Sequence, residues 1–241
     1  ADNIIGNGKF NASMRAFYFD GERDNRSDRK AFAVGGILKY ETQTIQGLKL
    51  GAAFYSSHDL LRAGYDNDIC YGVIDKKNLA GCSELVKADG SSIDVLGAAY
   101  LEYSYKNLTL TYGRQRMNTP LLNDFHNRFL PNSFQGLTLN VNISDNNDFI
   151  FSRIDRWKYK SSDKFIGITE GVGLDEELYL VGLKSEISNT DRLMIYDYFI
   201  ENTLNTVYLQ YDKHLKVFKN DLKLSMQYLK KYSVWDELEK I

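Results

Sequence analysis

The chain has 241 residues, and its 30 lysines and arginines against 32 aspartates and glutamates leave a net charge of −2. Hydrophobic residues are 43% and aromatic residues 13% of the sequence, which excludes a disordered chain, and the net charge disfavours a nucleic-acid-binding domain. No stretch of about 20 apolar residues occurs, so no transmembrane helix is predicted. A transmembrane β-barrel is not excluded, because its strands alternate between apolar and polar residues and contain no long apolar run.

The first half of the sequence alternates in this way over five segments. In the first segment Phe10, Met14 and Tyr18 share one face, and Arg15 lies on the other. In the third, small residues such as Gly51 and Ala53 fill the second face, which predicts a face that lines water. The predicted strands are 10–20, 32–41, 48–55, 93–105 and 108–113.

The second half continues the pattern, although the strand at 149–160 has an unclear facing. The further predicted strands are 137–143, 149–160, 177–187, 193–201, 206–217 and one that begins at 222. Connections alternate between short turns and long loops, which is the plan of an outer-membrane barrel with short periplasmic turns. The longest connections are 58–92, predicted to be an extracellular loop, and 117–132, which holds both prolines. We treat residues 1–241 as a single β-barrel domain.

Aromatic residues cluster at the ends of these predicted strands. Such rings are typical of an interfacial girdle, although ordinary β-propensity explains them as well. They are Tyr18, Tyr40, Tyr103, Tyr105, Trp157 and Tyr159.

Both cysteines, Cys70 and Cys82, fall in the long polar segment 58–92. They make a poor zinc site, because no third cysteine or nearby histidine accompanies them. A disulfide formed in an oxidising compartment is the preferred interpretation, and two unrelated free thiols are the alternative.

Three segments carry a resemblance to a known family. They are 11–20 (NASMRAFYFD), 33–55 (AVGGILKYETQTIQGLKLGAAFY) and 112–136 (YGRQRMNTPLLNDFHNRFLPNSFQG). The order YGRQ, NTPLLN, an Arg, a Pro and then FQGLTL resembles the fifth strand, the inward-folded third loop and the sixth strand of the OprD family of outer-membrane porins. The resemblance covers about residues 9–228 and is firmest up to 143.

The resemblance implies an all-β fold, an antiparallel transmembrane β-barrel of about eighteen strands in the bacterial outer membrane. It implies passive, selective diffusion of small carboxylate-bearing solutes along a ladder of Arg and Lys, with 117–132 as the constriction loop and no cofactor. Because only about eleven strands are predicted, we expect a partial chain that lacks C-terminal strands. A twelve-stranded barrel closed by residues 232–241 is a poorer alternative.

Arginine suits a carboxylate because its planar fork donates two parallel hydrogen bonds. The predicted pore-lining residues are therefore basic residues on the polar face or in the constriction loop, with one acidic counterpart. If the aromatic face of 149–160 meets lipid, Arg156 and Lys158 point inward and Arg153 needs another explanation. A solvated charge at the rim is the alternative for each of them. The predicted residues are Arg15, Lys39, Arg114, Arg116, Asp124, Arg128, Arg156 and Lys158.

Other classes of function are less well supported. The histidines His58, His126 and His214 lie in separate segments, and no HExxH, GxSxG or P-loop motif occurs, so no enzyme and no metal site is predicted. The alternative function is a non-channel β-rich surface or ligand-binding protein, such as an adhesin or a lipocalin-like binder. The expected partners are outer-membrane lipid and small carboxylate solutes, and not nucleic acid. The sequence does not distinguish a monomer from a homotrimer.

Overall fold

A computed structural model describes residues 6–22, 29–60, 83–124 and 128–234. The chain divides into two compact units, which are described separately. Unit 1 comprises Ala1–Leu101, Gly113–Phe134 and Trp157–Ile166, and unit 2 comprises Glu102–Tyr112, Gln135–Arg156 and Gly167–Ile241. Among the described residues, no helix is long and apolar enough to cross a membrane.

The described residues form an antiparallel sheet of twelve strands. Strands that follow one another in sequence pair with one another, except that β9 pairs with β7 and not with β8, which lies off this path and pairs with β7. The eleven predicted strands are confirmed, and the added strand is the two-residue β8, which is too short to show a period. A short 3-10 helix, Glu170–Val172, follows β8. The strands are β1 Lys9–Gly21, β2 Arg29–Glu41, β3 Leu48–Asp59, β4 Ile93–Tyr105, β5 Leu108–Gln115, β6 Ser133–Ser144, β7 Asn147–Lys158, β8 Ile166–Gly167, β9 Leu178–Glu186, β10 Asp191–Ile200, β11 Leu204–Val217 and β12 Asn220–Ser233.

One face of β1 and β2 in unit 1 is apolar and open. Phe10 is 64% and Met14 82% exposed, and the register places them opposite Tyr40 and Gly36. Arg15 has the other parity and lies opposite Gly35. We call the exposed side of each sheet region its apolar face and the opposite side its inner face. A continuous apolar face suits hydrocarbon rather than water.

The inner face of β2 and β3 is packed in its loop-side half. Ala33, Ala53 and Tyr55 form a buried cluster with residues from two connections, Leu85 and Phe129 among them. The expectation that the small residues of this face line water is therefore wrong in this half, because the connections fold in and cover them.

Glycines make room for this packing. A Cβ on Gly97 would lie 2.1 Å from the ring of Tyr55, and one on Gly35 would lie 2.9 Å from the ring of Phe129. Aromatic rings thus pack directly against the backbone of the sheet, where any side chain would displace them.

The alternation of inward and outward residues in β4 is shifted by one residue partway along the strand. The prediction that it alternates without interruption over 93–105 is therefore wrong. Gly97 and Ala98 are consecutive and both buried, whereas Leu96 and Leu101 are both exposed. Two neighbouring residues that face the same side are what a β-bulge produces. The extra residue turns Tyr100 to the inner face, where its hydroxyl donates to Glu41 Oε1 at 2.6 Å.

In unit 2 the facing of β7 is resolved by its register with β9. Phe151 lies opposite Val181, which is exposed, so the aromatic side of β7 belongs to the apolar face. Ser152 has the other parity, and its hydroxyl donates to Thr138 Oγ1 at 3.1 Å on the inner face.

Candidate functional site

The predicted constriction loop starts directly after β5 as a compact turn. The amide of Thr119 donates to the carbonyl of Leu122, and the amide of Asp124 donates to the carbonyl of Met117, each at 2.8 Å. Pro120 follows Thr119, at the turn position that its fixed φ suits. Within the range 116–132, which we call the constriction segment, residues 116–124 and 128–132 are described.

Arg116 and Asp124 face each other across this turn. Arg116 Nε lies 2.5 Å from Asp124 Oδ2, and the side chains are 44% and 24% exposed. The sequence predicted an acidic group on the loop opposite basic groups on the wall. The structure instead pairs these two predicted residues within one segment, so that the carboxylate offsets the nearest cation.

Arg15 and Arg128, which are 113 residues apart in sequence, meet in unit 1. Arg15 Nη1 donates to the carbonyl of Arg128 at 3.2 Å. Arg128 Nε donates to the carbonyl of Ser83 at 2.9 Å, and its guanidinium lies 5.1 Å from the ring centre of Phe19. Carbonyl groups orient a guanidinium without cancelling its charge, so these contacts place two cations at the constriction segment.

The described end of the long connection, residues 83–92, contacts the constriction segment through the Ser83 carbonyl and also packs against β3 and the residues after β7. Ser57 Oγ donates to the carbonyl of Leu85 at 2.6 Å, and Lys87 Nζ lies 2.8 Å from Asp163 Oδ2. This part of the predicted extracellular loop therefore belongs to the body of unit 1. Cys70 and Cys82 lie outside the described residues, and their pairing stays a prediction.

Glu84 fastens this connection to the residues that follow β7. Its Oε2 lies 2.8 Å from Lys160 Nζ, and the hydroxyl of Tyr159 donates to its Oε1 at 3.2 Å. Partial burial raises the pKa of Glu84, but the hydrogen bonds from Lys160 and Tyr159 and the charges of Lys160 and Arg128 outweigh it, so that the pKa is lowered. Glu84 is therefore held in its charged form.

Lys39 lies near the short-turn end of the inner face, beside an acidic group. Its ammonium is 2.9 Å from Glu41 Oε2, and Lys49 Nζ is 3.7 Å from Glu41 Oε1. Two cations thus share one carboxylate. Sequence reasoning missed Lys49, although its parity with Gly51 places it on the polar side of β3.

Arg114 contacts a strand carbonyl and an aromatic ring. Its Nη1 donates to the carbonyl of Leu96 at 3.2 Å, and its guanidinium lies 4.4 Å from the ring centre of Phe165. Gly113 precedes it with φ of 118°, in a conformation that favours glycine, and a Cβ there would be 2.4 Å from the carbonyl of Ala99.

Lys158 lies on the inner face of β7, as predicted for the case in which the aromatic face of this strand meets lipid. Its side chain is fully buried, however. Its Nζ donates to the carbonyls of Tyr159 at 2.9 Å and of Pro131 and Ser162 at 3.3 Å. It also lies 5.5 Å from the ring centre of Tyr55. These surroundings are backbone and aromatic groups rather than an open lumen.

Arg156 and Arg153 both lie in unit 2, at a cavity of about 660 Å³ whose lining includes Asp155 and five glutamate or aspartate residues from 170 to 201. Arg153 Nε and Nη2 donate to the two carboxylate oxygens of Glu177 at 2.5 and 2.6 Å. Arg153 lowers the pKa of Glu177 by this hydrogen bonding. The bidentate pair explains a cation on the aromatic side of β7. Among the described residues, no group of three His, Cys, Asp or Glu side chains is placed to hold a metal ion.

A second charged region was missed by sequence reasoning, on the inner face of unit 2. Arg192 Nε lies 2.6 Å from Glu186 Oε1, and Lys223 Nζ lies 3.5 Å from Asp212 Oδ2. Lys184 Nζ is 3.7 Å from Asp148 Oδ2. Alternation alone could have found these residues, because each has the polar parity of its strand.

Comparisons with known proteins agree with this architecture. The sequence profile of the family described as outer membrane porin, OprD family, matches residues 2–237. A comparison with curated proteins gives no match. Similar solved structures include OccK8 (OprE) of Pseudomonas aeruginosa, at 15% identity and a TM-score of 0.74, with 95% of this chain and 56% of that chain covered.

Two further solved structures have the same fold. OccAB1 of Acinetobacter baumannii matches at 16% identity and a TM-score of 0.76, over 96% of this chain and 54% of that chain. OpdK of Pseudomonas aeruginosa, solved with vanillate, matches at 16% identity and a TM-score of 0.74, over 96% of this chain and 59% of that chain. The chain therefore spans just over half the length of these three porins. On the match of nearly its whole length to the family profile, the chain belongs to the OprD family of outer-membrane porins.

Proposed function

We propose that the protein contributes the wall and constriction of a channel for passive, selective diffusion of small anionic or carboxylate-bearing solutes. The observation that carries this proposal is the convergence of Arg15, Arg116 and Arg128 on one segment that also carries a single described carboxylate, Asp124. In a narrow and partly desolvated passage, such an excess of positive charge favours anions.

The path follows from the same geometry. A solute entering from the loop side meets the guanidinium groups of the constriction segment first. Toward the short turns it meets Lys39 and Lys49, which share Glu41. Guanidinium groups can exchange a carbonyl or water partner for the two oxygens of a carboxylate, because that pairing is bidentate and charge-assisted. The solute then leaves down its gradient.

The family and the fold point to a channel rather than an enzyme, and they do not favour the adhesin or lipocalin-like alternative. The structure of OpdK was solved with vanillate, a small carboxylate, which supports testing this solute class here. Outer-membrane lipid is the proposed surrounding of the apolar face.

The test is ion selectivity in a planar lipid bilayer, with a salt gradient across the membrane and benzoate or benzamide as probes of matched size. The double variant Arg116→Gln and Arg128→Gln should lower the permeability of benzoate relative to that of neutral benzamide about five-fold per charge, the effect of one unit charge at about 4 Å in water. Arg153→Gln is the matched control, because that arginine is paired with Glu177 on the apolar face of β7. A double variant with the selectivity of the unaltered protein would contradict the proposal.

A further inference from the structure

Lys158, the last residue of β7, is a lysine with 0% exposure. Lysine is almost never fully buried unless its charge is satisfied. Its ammonium group has three hydrogens, and three carbonyl oxygens lie within 2.9 to 3.3 Å of Nζ. The number of donors and acceptors therefore matches, and the geometry is that of a fixed link rather than of a group that awaits a solute.

The three carbonyls come from two different connections. Tyr159 and Ser162 belong to the residues that follow β7, whereas Pro131 is the second-to-last residue of the constriction segment. Lys160, two residues after Lys158, strengthens this link, because its amide donates to Asn132 Oδ1 at 3.0 Å. Asn132 Nδ2 donates in turn to the carbonyl of Asn123 at 3.2 Å, so the hydrogen bonds continue into the turn of Arg116 and Asp124.

The sheet supplies the third side of the link. The ring of Tyr55 on β3 lies 5.5 Å from Lys158 Nζ and is itself fully buried. Ser133 Oγ donates to the Tyr55 hydroxyl at 3.5 Å, just beyond Pro131 in sequence. Lys158 therefore lies where the wall, the constriction segment and the connection after β7 meet.

We propose that Lys158 is a positioning residue that fastens the end of the constriction segment to the wall and thereby sets the passage left for solute. The width of the passage rests on the proposed function, whereas the fastening of the segment does not. Loss of the ammonium leaves the carbonyls of Pro131 and Ser162 without this buried donor, and unsatisfied buried groups favour local opening.

The experiment uses three variants, Lys158→Met, Lys158→Arg and Lys164→Met, refolded into detergent micelles and into planar bilayers. Arginine keeps a charge with several donors at the same place, and Lys164 is an exposed lysine in the same connection whose backbone amide and carbonyl hydrogen-bond with the hydroxyl of Ser162. The first readout is the rate of trypsin cleavage after Arg128, a bond next to the buried Phe129, measured by mass spectrometry. The second readout is single-channel conductance and its open-channel noise.

Lys158→Met is expected to raise the cleavage rate after Arg128 about ten-fold or more and to add current fluctuations, while the other two variants keep the behaviour of the unaltered protein. Cleavage of Lys158→Met at the unaltered rate would overturn the proposal. The proposal would also be overturned if Lys158→Arg were cleaved as fast as Lys158→Met while circular dichroism showed the sheet content of the unaltered protein. A protein that never conducts but still shows the cleavage difference would refute the proposed function and leave the fastening role intact.

Discussion

The inner faces of the two units are built from the same alternation of residues but are covered differently. In unit 1, Leu85 and Phe129 fold in from connections and close an apolar cluster over Ala33 and Ala53. In unit 2, the contacts of the inner face run between neighbouring strands and include ion pairs such as that of Arg192 with Glu186. Polar parity therefore says which side a residue faces, but the connections decide whether that side meets protein or water.

This comparison predicts that stability in unit 1 depends on packing by its connections. Phe129→Ala should lower the free energy of unfolding by about 3–5 kcal/mol, because a buried ring is removed from the space between Phe17 and Gly35. The measurement is urea unfolding in lipid vesicles, followed by tryptophan fluorescence.

Met194→Ala is the matched truncation, on the inner face of unit 2 opposite Lys184 and Gln210. Because Met194 is only half-buried, Met194→Ala should lower the free energy of unfolding clearly less than Phe129→Ala does. Equal losses would show that the two faces are covered alike.

A smaller effect is expected from acid, through the contact of Glu84 with Lys160. Because the pKa of Glu84 is lowered from its ordinary value of 4.5, its stabilisation is present above that value and is lost as the pH falls through the lowered pKa. Unfolding measured from about pH 6 to about pH 3.5 should therefore lose less stability in Glu84→Gln than in the unaltered protein. The same acid sensitivity in both proteins would show that Glu84 gains nothing from its partners in the folded state.

The smallest effect is expected at the ion pairs of unit 2. Arg192 and Glu186 are 40% and 36% exposed, so Arg192→Gln should change the free energy of unfolding by less than about 1 kcal/mol. Repeating the unfolding at about 1 M salt should remove most of this difference, because exposed pairs are screened. A loss comparable with that of Phe129→Ala would mean that the charged face is as tightly packed as the apolar cluster.

Much of the strand plan was predictable, because alternation is a local property that sheet geometry imposes on each strand. The prediction missed β8, whose two residues show no period, and it missed the slip at Gly97 and Ala98, because one inserted residue is invisible in composition. Lys158 shows a different limit. Its inward parity was predicted, but whether it meets solute or a backbone carbonyl depends on a segment 27 residues earlier.

Sequence by itself determined the long strands, the apolar face and the family, since each depends on residue spacing within short segments. Only the tertiary structure decided that Arg15 contacts Arg128, that Asp124 pairs with Arg116 and that Lys158 is buried beside Tyr55. The physical reason is that the contacts of Arg15 and Lys158 join segments far apart in the chain, and the contact of Asp124 with Arg116 depends on how the turn between them folds. Their partners are selected by how the connections fold over the inner face, and no local pattern encodes that choice.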